Sequence, residues 1–554
     1  MVSWLFKRNW KCRCWLVSLC CALIFTLIQP VSVTAAPPSP YPILGDYGGE
    51  IREKKPRADG MVHVDTPRTI QRLKELHANT YFYLIWHEKS DWDDLRKEFL
   101  PAARQAGINV WVYLVPPSEA QLKRSEPFGT DYVAWFRAVG RLGRHFPNLK
   151  GIVMDDFNDN LTFFTPAYLA KAKGAGRKEN PGFLFYPQIY YPALDTALLT
   201  HYRHLFDGVV MSFRDDHYRN TQKTDRMIEQ LDEVQARLER TRLPFILMIY
   251  ASRLSATPAN PSAQYVANAL KLALGRLKLR RLDGVVTYVL HKEFLQEEGD
   301  AVAKSGVSYA NLFAPAVSTH DDDAPGHYVE WRQRIYLDPR TQAKLSFWHM
   351  SVYPPNTGAG TYTKQVLIDN RVVWQSSITR HASESWVPVT LDLTRVLRGK
   401  RQAVLSLRLT KMKKGPAPWT YSGFDCLSAS GISLQNGDFE YQRNEWELIS
   451  STRNLMGEVL RYDPSRRFRT FQAVRRMYRT FRLHEDLTQW AEHPLLIRKA
   501  DRLLTCILLD RLPFALHLLE ELPSLVLFDR HIPYHRKEAL IRDAHQLHHL
   551  LDEE

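Results

Sequence analysis

The sequence predicts an α/β chain: a (β/α)8 TIM barrel over residues 41–313, followed by a β-sandwich and a C-terminal helical region. Three observations carry this reading. Between residues 41 and 313, eight short runs rich in β-branched and aromatic residues alternate with longer amphipathic stretches. That rhythm is the one produced by strands joined through crossover helices in a parallel sheet, and eight strands close a barrel. After residue 326 the rhythm gives way to short segments of alternating polarity separated by turns, as in a sandwich, and from residue 441 the apolar period becomes helical.

Taken in chain order, residues 1–35 read as a secretory signal, with an uncleaved membrane anchor as the alternative. Lys7, Arg8, Lys11 and Arg13 make a positive start, Cys14 to Ile28 an apolar core, and "VSVTAAPPSP" supplies small residues for cleavage near Ala35 or Ala36. The segment therefore predicts a secreted or periplasmic protein. Its removal takes four positive charges and no acid, so the formal charge of +14 falls by four to +10. A basic exported chain favours anionic partners such as acidic polysaccharides or membrane surfaces, and no nucleic-acid-binding motif is present. Export also removes Cys12, Cys14, Cys20 and Cys21, leaving Cys426 and Cys506 either to pair or to remain core thiols. Two distant cysteines make no metal framework, and no Gly-rich phosphate loop follows the first strand, so neither metal nor cofactor is expected.

The eight barrel strands are "YPILGDY", "TYFYLIW", "INVWVYLV", "LKGIVMD", "FLFYPQIYY", "DGVVMSF", "PFILMIY" and "DGVVTYVL". Helix starts are marked by Thr66-Pro67 before "RTIQRLKELHAN" and by Ser90 before "DWDDLRKEFLPAARQAG". Further helices read from "DYVAWFRAVGRLGRHF", "DRMIEQLDEVQARLER" and "SAQYVANALKLALGRLKL". Residues 314–326, with Asp321, Asp322 and Asp323, read as an acidic linker, and 327–440 as the sandwich. Residues 441–554 form a basic helical tail. Within it Phe468, Phe471, Val474, Tyr478 and Phe481 share one face among many arginines, which suits either packing on the barrel with the arginines solvated or contact with a membrane surface or polyanion.

In such a barrel the active site lies at the C-terminal ends of the strands. The residues that fall there include Asp46 after strand one, His87 after strand two and Glu119 after strand three. Strand four delivers Asp155, Asp156 and Asn158, strand five Tyr190, strand six Arg214 and Asp215, strand seven Tyr250 and strand eight Glu293. Acids, aromatic rings and hydrogen-bond donors together suit a carbohydrate, since rings stack on sugar faces and carboxylates supply acid, base or charge stabilisation. Asp155 and Asp156 are the catalytic candidates and the others the substrate-binding ones. Because consecutive strand residues face opposite ways, the two acids can share a site only where the pleat breaks.

Three stretches, "NTYFYLIWHEKSDWDDLRKEFLPAARQAGINVWVYLVPPS", "GIVMDDFND" and "FLFYPQIYYP", resemble in order the second to fifth strands of the O-GlcNAcases and bacterial hyaluronidase-like hexosaminidases. The resemblance implies that Asp155 orients a substrate acetamido group, that Asp156 is the general acid/base, and that the acetamido oxygen is the nucleophile. Where that family carries Trp-Thr-Gly and Trp-Asp-Asn-Tyr, this chain reads "MSFRDD" and "MIYASR". A different sugar, or a conventional mechanism assisted by Asp46, Glu119, Asp215 or Glu293, is therefore open. In the sandwich, "VLIDNRVVW", "LTRVLRGK" and "LQNGDFE" resemble galactose-binding-like jelly rolls, with Trp348, Trp374, Trp386 and Trp419 available as a platform or as core. The expectation is a secreted glycoside hydrolase acting on a polysaccharide or glycoconjugate. The alternative is a noncatalytic glycan-binding or envelope-assembly protein that keeps the barrel as a scaffold.

Overall fold

The structure, a computed structural model, describes residues 42–120, 123, 125–216, 221–253, 260–290, 303–315, 324–338, 341–352, 360–378, 385–414, 419–452 and 454–552. The predicted signal at 1–35, the acids Asp321 to Asp323 and Glu293 lie outside them.

Eight parallel strands close a barrel in sequence order: β1 (Ile43–Tyr47), β2 (Thr80–Ile85), β3 (Asn109–Leu114), β4 (Leu149–Met154), β5 (Leu184–Ile189), β6 (Val209–Phe213), β7 (Phe245–Tyr250) and β8 (Gly284–Tyr288). The seam is made by β1 on β8, from Ile43 opposite Gly284 to Tyr47 opposite Tyr288. Strand alternation divides each run between two cores. Tyr47, Phe82, Trp111, Tyr113, Val153, Tyr186, Val210, Met248 and Val286 fill the lumen. Leu44, Val112, Ile152, Phe185, Met211, Leu247 and Val285 face outward to the helices. A Cβ on Gly151 would stand 1.9 Å from the Leu184 carbonyl oxygen, so glycine permits the close approach of β4 to β5.

The helices after the first seven strands are α1 (Thr66–Glu75), the composite α2 (Asp91–Asp94, Leu95–Phe99 and Leu100–Gln105), α3 (Tyr132–His145), α4 (Pro166–Glu179), α5 (Thr196–Tyr202), α6 (Met227–Glu239) and α7 (Ala263–Lys278). Their starts are held by local acceptors: Asp131 caps Ala134, Thr165 caps Tyr168 and Ser262 caps Tyr265. At α1 the cap is Asp65, one residue before the expected Thr66, while Ser90 makes no side-chain cap at α2. Buried Asp91 instead accepts the amides of Trp86 and Glu88 and the Arg52 guanidinium.

The eighth barrel helix comes from far along the chain. Helix α8 (Arg466–Trp490) packs against α7 and reaches α1, where Arg72 lies 4.9 Å over the Phe471 ring. Val474, Met477, Tyr478 and Phe481 are fully buried in the barrel's outer core. The sandwich is thus inserted between β8 and its helix. This corrects the expected division of the chain into a barrel ending at 313 and a separate tail from 441. The tail's first helix completes the barrel because its apolar face covers the seam that would otherwise be exposed. Nor are its arginines all solvated: Arg466, Arg476 and Arg479 are buried, and Arg466 Nη1 donates to the carbonyl of Ala251 at 3.0 Å. Three more helices, α9 (Pro494–Leu508), α10 (Leu512–Phe528) and α11 (Tyr534–Asp552), extend the same core.

The sandwich also starts earlier and ends later than 327–440. Strand β9 (Ser308–Ala314) lies within it, as do β10 (Tyr328–Leu337), β11 (Lys344–Val352), β12 (Tyr362–Ile368), β13 (Arg371–Ser377), β14 (Val387–Asp392), β15 (Gln402–Lys411), β16 (Thr420–Ser430), β17 (Ile432–Ser433), β18 (Glu447–Ser450) and β19 (Met456–Arg461). One sheet has the order β13-β12-β15-β10-β17 with β18 on β10, and the other β14-β11-β16-β9-β19. "SYANLFA" is apolar throughout and reads like any buried strand; its membership is decided by pairing with β16 and β19. The four candidate tryptophans are half-buried, and Trp374 packs edge-on to Phe347 in the core. Cys426 and Cys506 are free thiols.

Candidate active site

The path of the chain at the end of β4 builds the site. The Asp155 amide donates to the Leu114 carbonyl at 3.0 Å, so the ladder with β3 continues through this residue. Counting alternation from Val153 places the Asp155 side chain in the lumen. The ladder then stops. Asp156 has φ 39° and ψ 39°, a left-handed conformation that aspartate tolerates better than most residues. Its amide donates to Asp155 Oδ1 at 3.0 Å and to Gln188 Oε1 at 2.9 Å. Breaking the pleat here lets consecutive carboxylates serve one pocket. Fully buried Phe157 anchors the following turn, and Asn160 binds the Asp156 carbonyl and the Ser118 hydroxyl, both at 3.0 Å.

Each carboxylate has its own phenol. Tyr113 donates to Asp155 Oδ1 at 2.7 Å, and Tyr190 to Asp156 Oδ1 at 2.6 Å. An arc of rings joins the two: Tyr113 to Tyr47 at 4.1 Å, Tyr47 to Tyr288 at 5.1 Å, and Tyr288 to Tyr250 at 4.6 Å between centroids. Tyr250 lies close enough to Tyr190 for the two phenols to influence each other, closing the collar. Burial holds all five phenols above the ordinary tyrosine pKa, so they act as neutral donors. The Arg214 guanidinium stacks 3.3 Å over the Tyr190 ring and is gripped by both oxygens of Asp216, at 2.9 and 3.0 Å.

Glu119, from the loop after β3, is the third acid. Burial and then the charge of Asp156 push its carboxyl up to about 7. Asp155 is also raised well above the ordinary carboxyl range, by burial first and then by the charges of Asp156 and Glu119, with the Tyr113 hydroxyl opposing. Neighbouring carboxylates that cannot all ionise together are a proton reservoir working near neutral pH. Asp155, Asp156 and Glu119 each keep part of their surface open to the barrel mouth.

Of the residues expected at the rim, the fold brings Asp155, Asp156, Glu119, Tyr190, Tyr250 and Arg214 together. Asn158 positions rather than lines: its Oδ1 accepts the Tyr190 amide at 3.2 Å. His87 stands on the β2 rim beside Trp86, the rings 5.5 Å apart. Two expectations are corrected. Since Tyr47 faces the lumen, Asp46 faces the opposite side, where Thr287 donates to it at 2.6 Å and burial raises its carboxyl to about 8. Asp215 turns away through a positive φ of 51° and pairs with Arg226 at 2.6 Å, while Arg214 takes the inward side. Sequence reasoning missed Tyr113, Tyr47, Tyr288 and the hydrogen-bonding role of Gln188. Strand parity would have found them, since each faces the lumen within three residues of its strand's C-terminal end.

No family model matches the chain, and no curated protein matches it. Among solved structures it is similar to a glucosidase from Croceicoccus marinus, with 11% identity, 67% of this chain and 96% of that one covered, and a TM-score of 0.32. An endoglucanase from Pseudomonas stutzeri gives 13% identity over 45% of this chain and 84% of that one, with a TM-score of 0.33. Beta-glucuronidase 2 from Bacteroides uniformis gives 10% over 69% and 65%, with a TM-score of 0.35.

Proposed function

We propose that the chain is a secreted or periplasmic glycoside hydrolase acting on a polysaccharide or glycoconjugate. The observation that carries this reading is the convergence of Asp155, Asp156 and Glu119 inside a collar of neutral tyrosines at the barrel mouth. Cleaving a glycosidic bond needs a proton for the departing oxygen and negative charge beside the developing oxocarbenium ion. In the proposed reaction Asp156, oriented by Tyr190, exchanges the proton with the glycosidic oxygen. The collar offers ring faces and hydroxyls to the sugar.

The finer reading is substrate-assisted hydrolysis of an N-acetylhexosaminide. Two donors, the Tyr113 hydroxyl and the Asp156 amide, converge on Asp155 Oδ1. Its Oδ2 is left to receive an acetamido N–H. The acetamido oxygen then attacks the anomeric carbon as the leaving group takes the Asp156 proton. An anionic glycan is favoured by the basic charge of the chain.

The test is a panel of glycans offered to the purified mature protein, followed by Asp156→Asn on whichever substrate is cleaved. Turnover is expected to fall by about 10²–10⁴-fold with folding intact. Undiminished turnover would place the chemistry elsewhere.

A further inference from the structure

A second polar cleft lies on the barrel's flank, away from the acid cluster. It has a volume of about 550 Å³ and runs between α1 and the pair α8 and α11. Arg475 and Arg479, one turn apart on α8, face Lys74 and His77 at the C-terminal end of α1. This end of α1 leads into β2, so the cleft belongs to the N-terminal side of the barrel strands, opposite the acid-lined mouth.

The charges in the cleft are unevenly met. Arg479 is only 4% exposed, and its Nη2 reaches Gln546 and, at 3.7 Å, Asp543. Half-buried Arg475 makes no hydrogen bond or ion pair with any described residue. Of the two acids at the cleft, Glu75 is engaged by Arg72 at 2.7 Å and by Gln71, and Asp543 is shared with Arg479. The surplus is felt by His77, which is held neutral, down to about 3, by burial and then by the charges of Arg479, Arg482 and Arg475. A half-buried guanidinium without an acceptor is a defect unless a ligand supplies one.

We propose that this cleft binds a tetrahedral oxyanion, a phosphate or sulfate group. Such a group offers several acceptor oxygens at once to the guanidinium of Arg475 and compensates more than one positive charge, with Arg479 beside it and Lys74 as a further partner. A free phosphate and a phospholipid headgroup share this chemistry.

Calorimetric titration of the full chain with inorganic phosphate tests the site, with chloride at matched ionic strength as the control. Saturable binding is expected, weakened at least tenfold in Arg475→Ala and Arg479→Gln. In parallel, the His77 ring resonances are followed by NMR from pH 3 to pH 8. Bound phosphate supplies negative charge, so the His77 pKa should rise on adding phosphate in the wild type and not in Arg475→Ala. Arg475 is half-buried, and its variant is checked for an unchanged melting temperature, which guards against loss of fold at the buried Arg479. Phosphate binding that does not saturate, or that survives both substitutions, overturns the proposal. Phosphatidylglycerol vesicles separate the sources: sedimentation with vesicles that phosphate competes away supports a headgroup, and phosphate binding without sedimentation supports a free anion. Vesicle binding indifferent to both phosphate and Arg475→Ala would overturn the headgroup role.

Discussion

The hydroxyl of Tyr478 donates a 2.7 Å hydrogen bond to the backbone carbonyl of Gly45, 433 positions earlier in the chain. It joins the helix after the sandwich to the first strand of the barrel, at the seam with β8. Removing the hydroxyl with Tyr478→Phe should cost about 1–2 kcal/mol, and Phe481→Ala, which empties a fully buried site, about 3–5 kcal/mol. A chain ending at residue 465 should lose the cooperative urea transition of the barrel. Native-like unfolding of that shortened chain would disprove the closing role of α8.

Asp155→Asn and Asp156→Asn should part company on different substrates. Substitution at Asp156 should depress turnover on every cleaved glycoside. At Asp155 the loss should be largest where the sugar bears an acetamido group. Equal losses on acetylated and non-acetylated glycosides would favour a conventional carboxylate pair over substrate assistance.

Tyr190→Phe keeps the ring beneath Arg214 and removes only the 2.6 Å bond to Asp156. Turnover should drop by about tenfold, the equivalent of one lost hydrogen bond, while the melting temperature stays within a few degrees. A variant as active as the parent would separate Tyr190 from the proton transfer.

Glu119 holds its proton until about pH 7. The charge it then acquires lies beside Asp156 and favours the protonated form of that acid, so proton donation to the leaving oxygen should persist to higher pH than it would without Glu119. In Glu119→Gln, which carries no charge at any pH, the basic limb should move downward. A pH–rate profile unchanged by the substitution would exclude this coupling.

Stability has its own pH dependence, set behind the barrel wall. Asp46 is raised from 3.8 to about 8 and Glu50 from 4.5 to about 7, both chiefly by burial. The folded chain therefore holds protons that the unfolded chain has released, and unfolding gives them up. Stability should fall as pH rises from about 4 to about 8, then level off. Asp46→Asn keeps an acceptor for Thr287 and removes the ionisation, so it should flatten much of this slope and melt higher than the parent at pH 9. Melting curves across that range decide it.

The eight strands were legible because each is a short apolar run bounded by turn residues, a local signal that needs no knowledge of the partner. The acids after "GIVM" were legible for the same reason: a strand end in a barrel is an address. Facing was not equally plain. Asp46 and Asp155 occupy similar places after apolar runs, yet one points to the helices and the other into the lumen. That difference follows from parity, and parity becomes definite only once the register of the closed sheet is set.

What the sequence determined by itself was the alternation of strand and helix, the eightfold count and the presence of acids at the strand ends. All of these arise from residues within a few positions of one another. Tertiary structure alone decided that β9 joins the sandwich, that α8 returns after the insertion to complete the barrel, and that Glu119 and the tyrosine collar meet Asp155 and Asp156. Each of those depends on burial and pairing between segments tens to hundreds of positions apart, which hydrophobic periodicity does not encode. The left-handed turn at Asp156 is the smallest instance: a local conformation held by Gln188, 32 positions away.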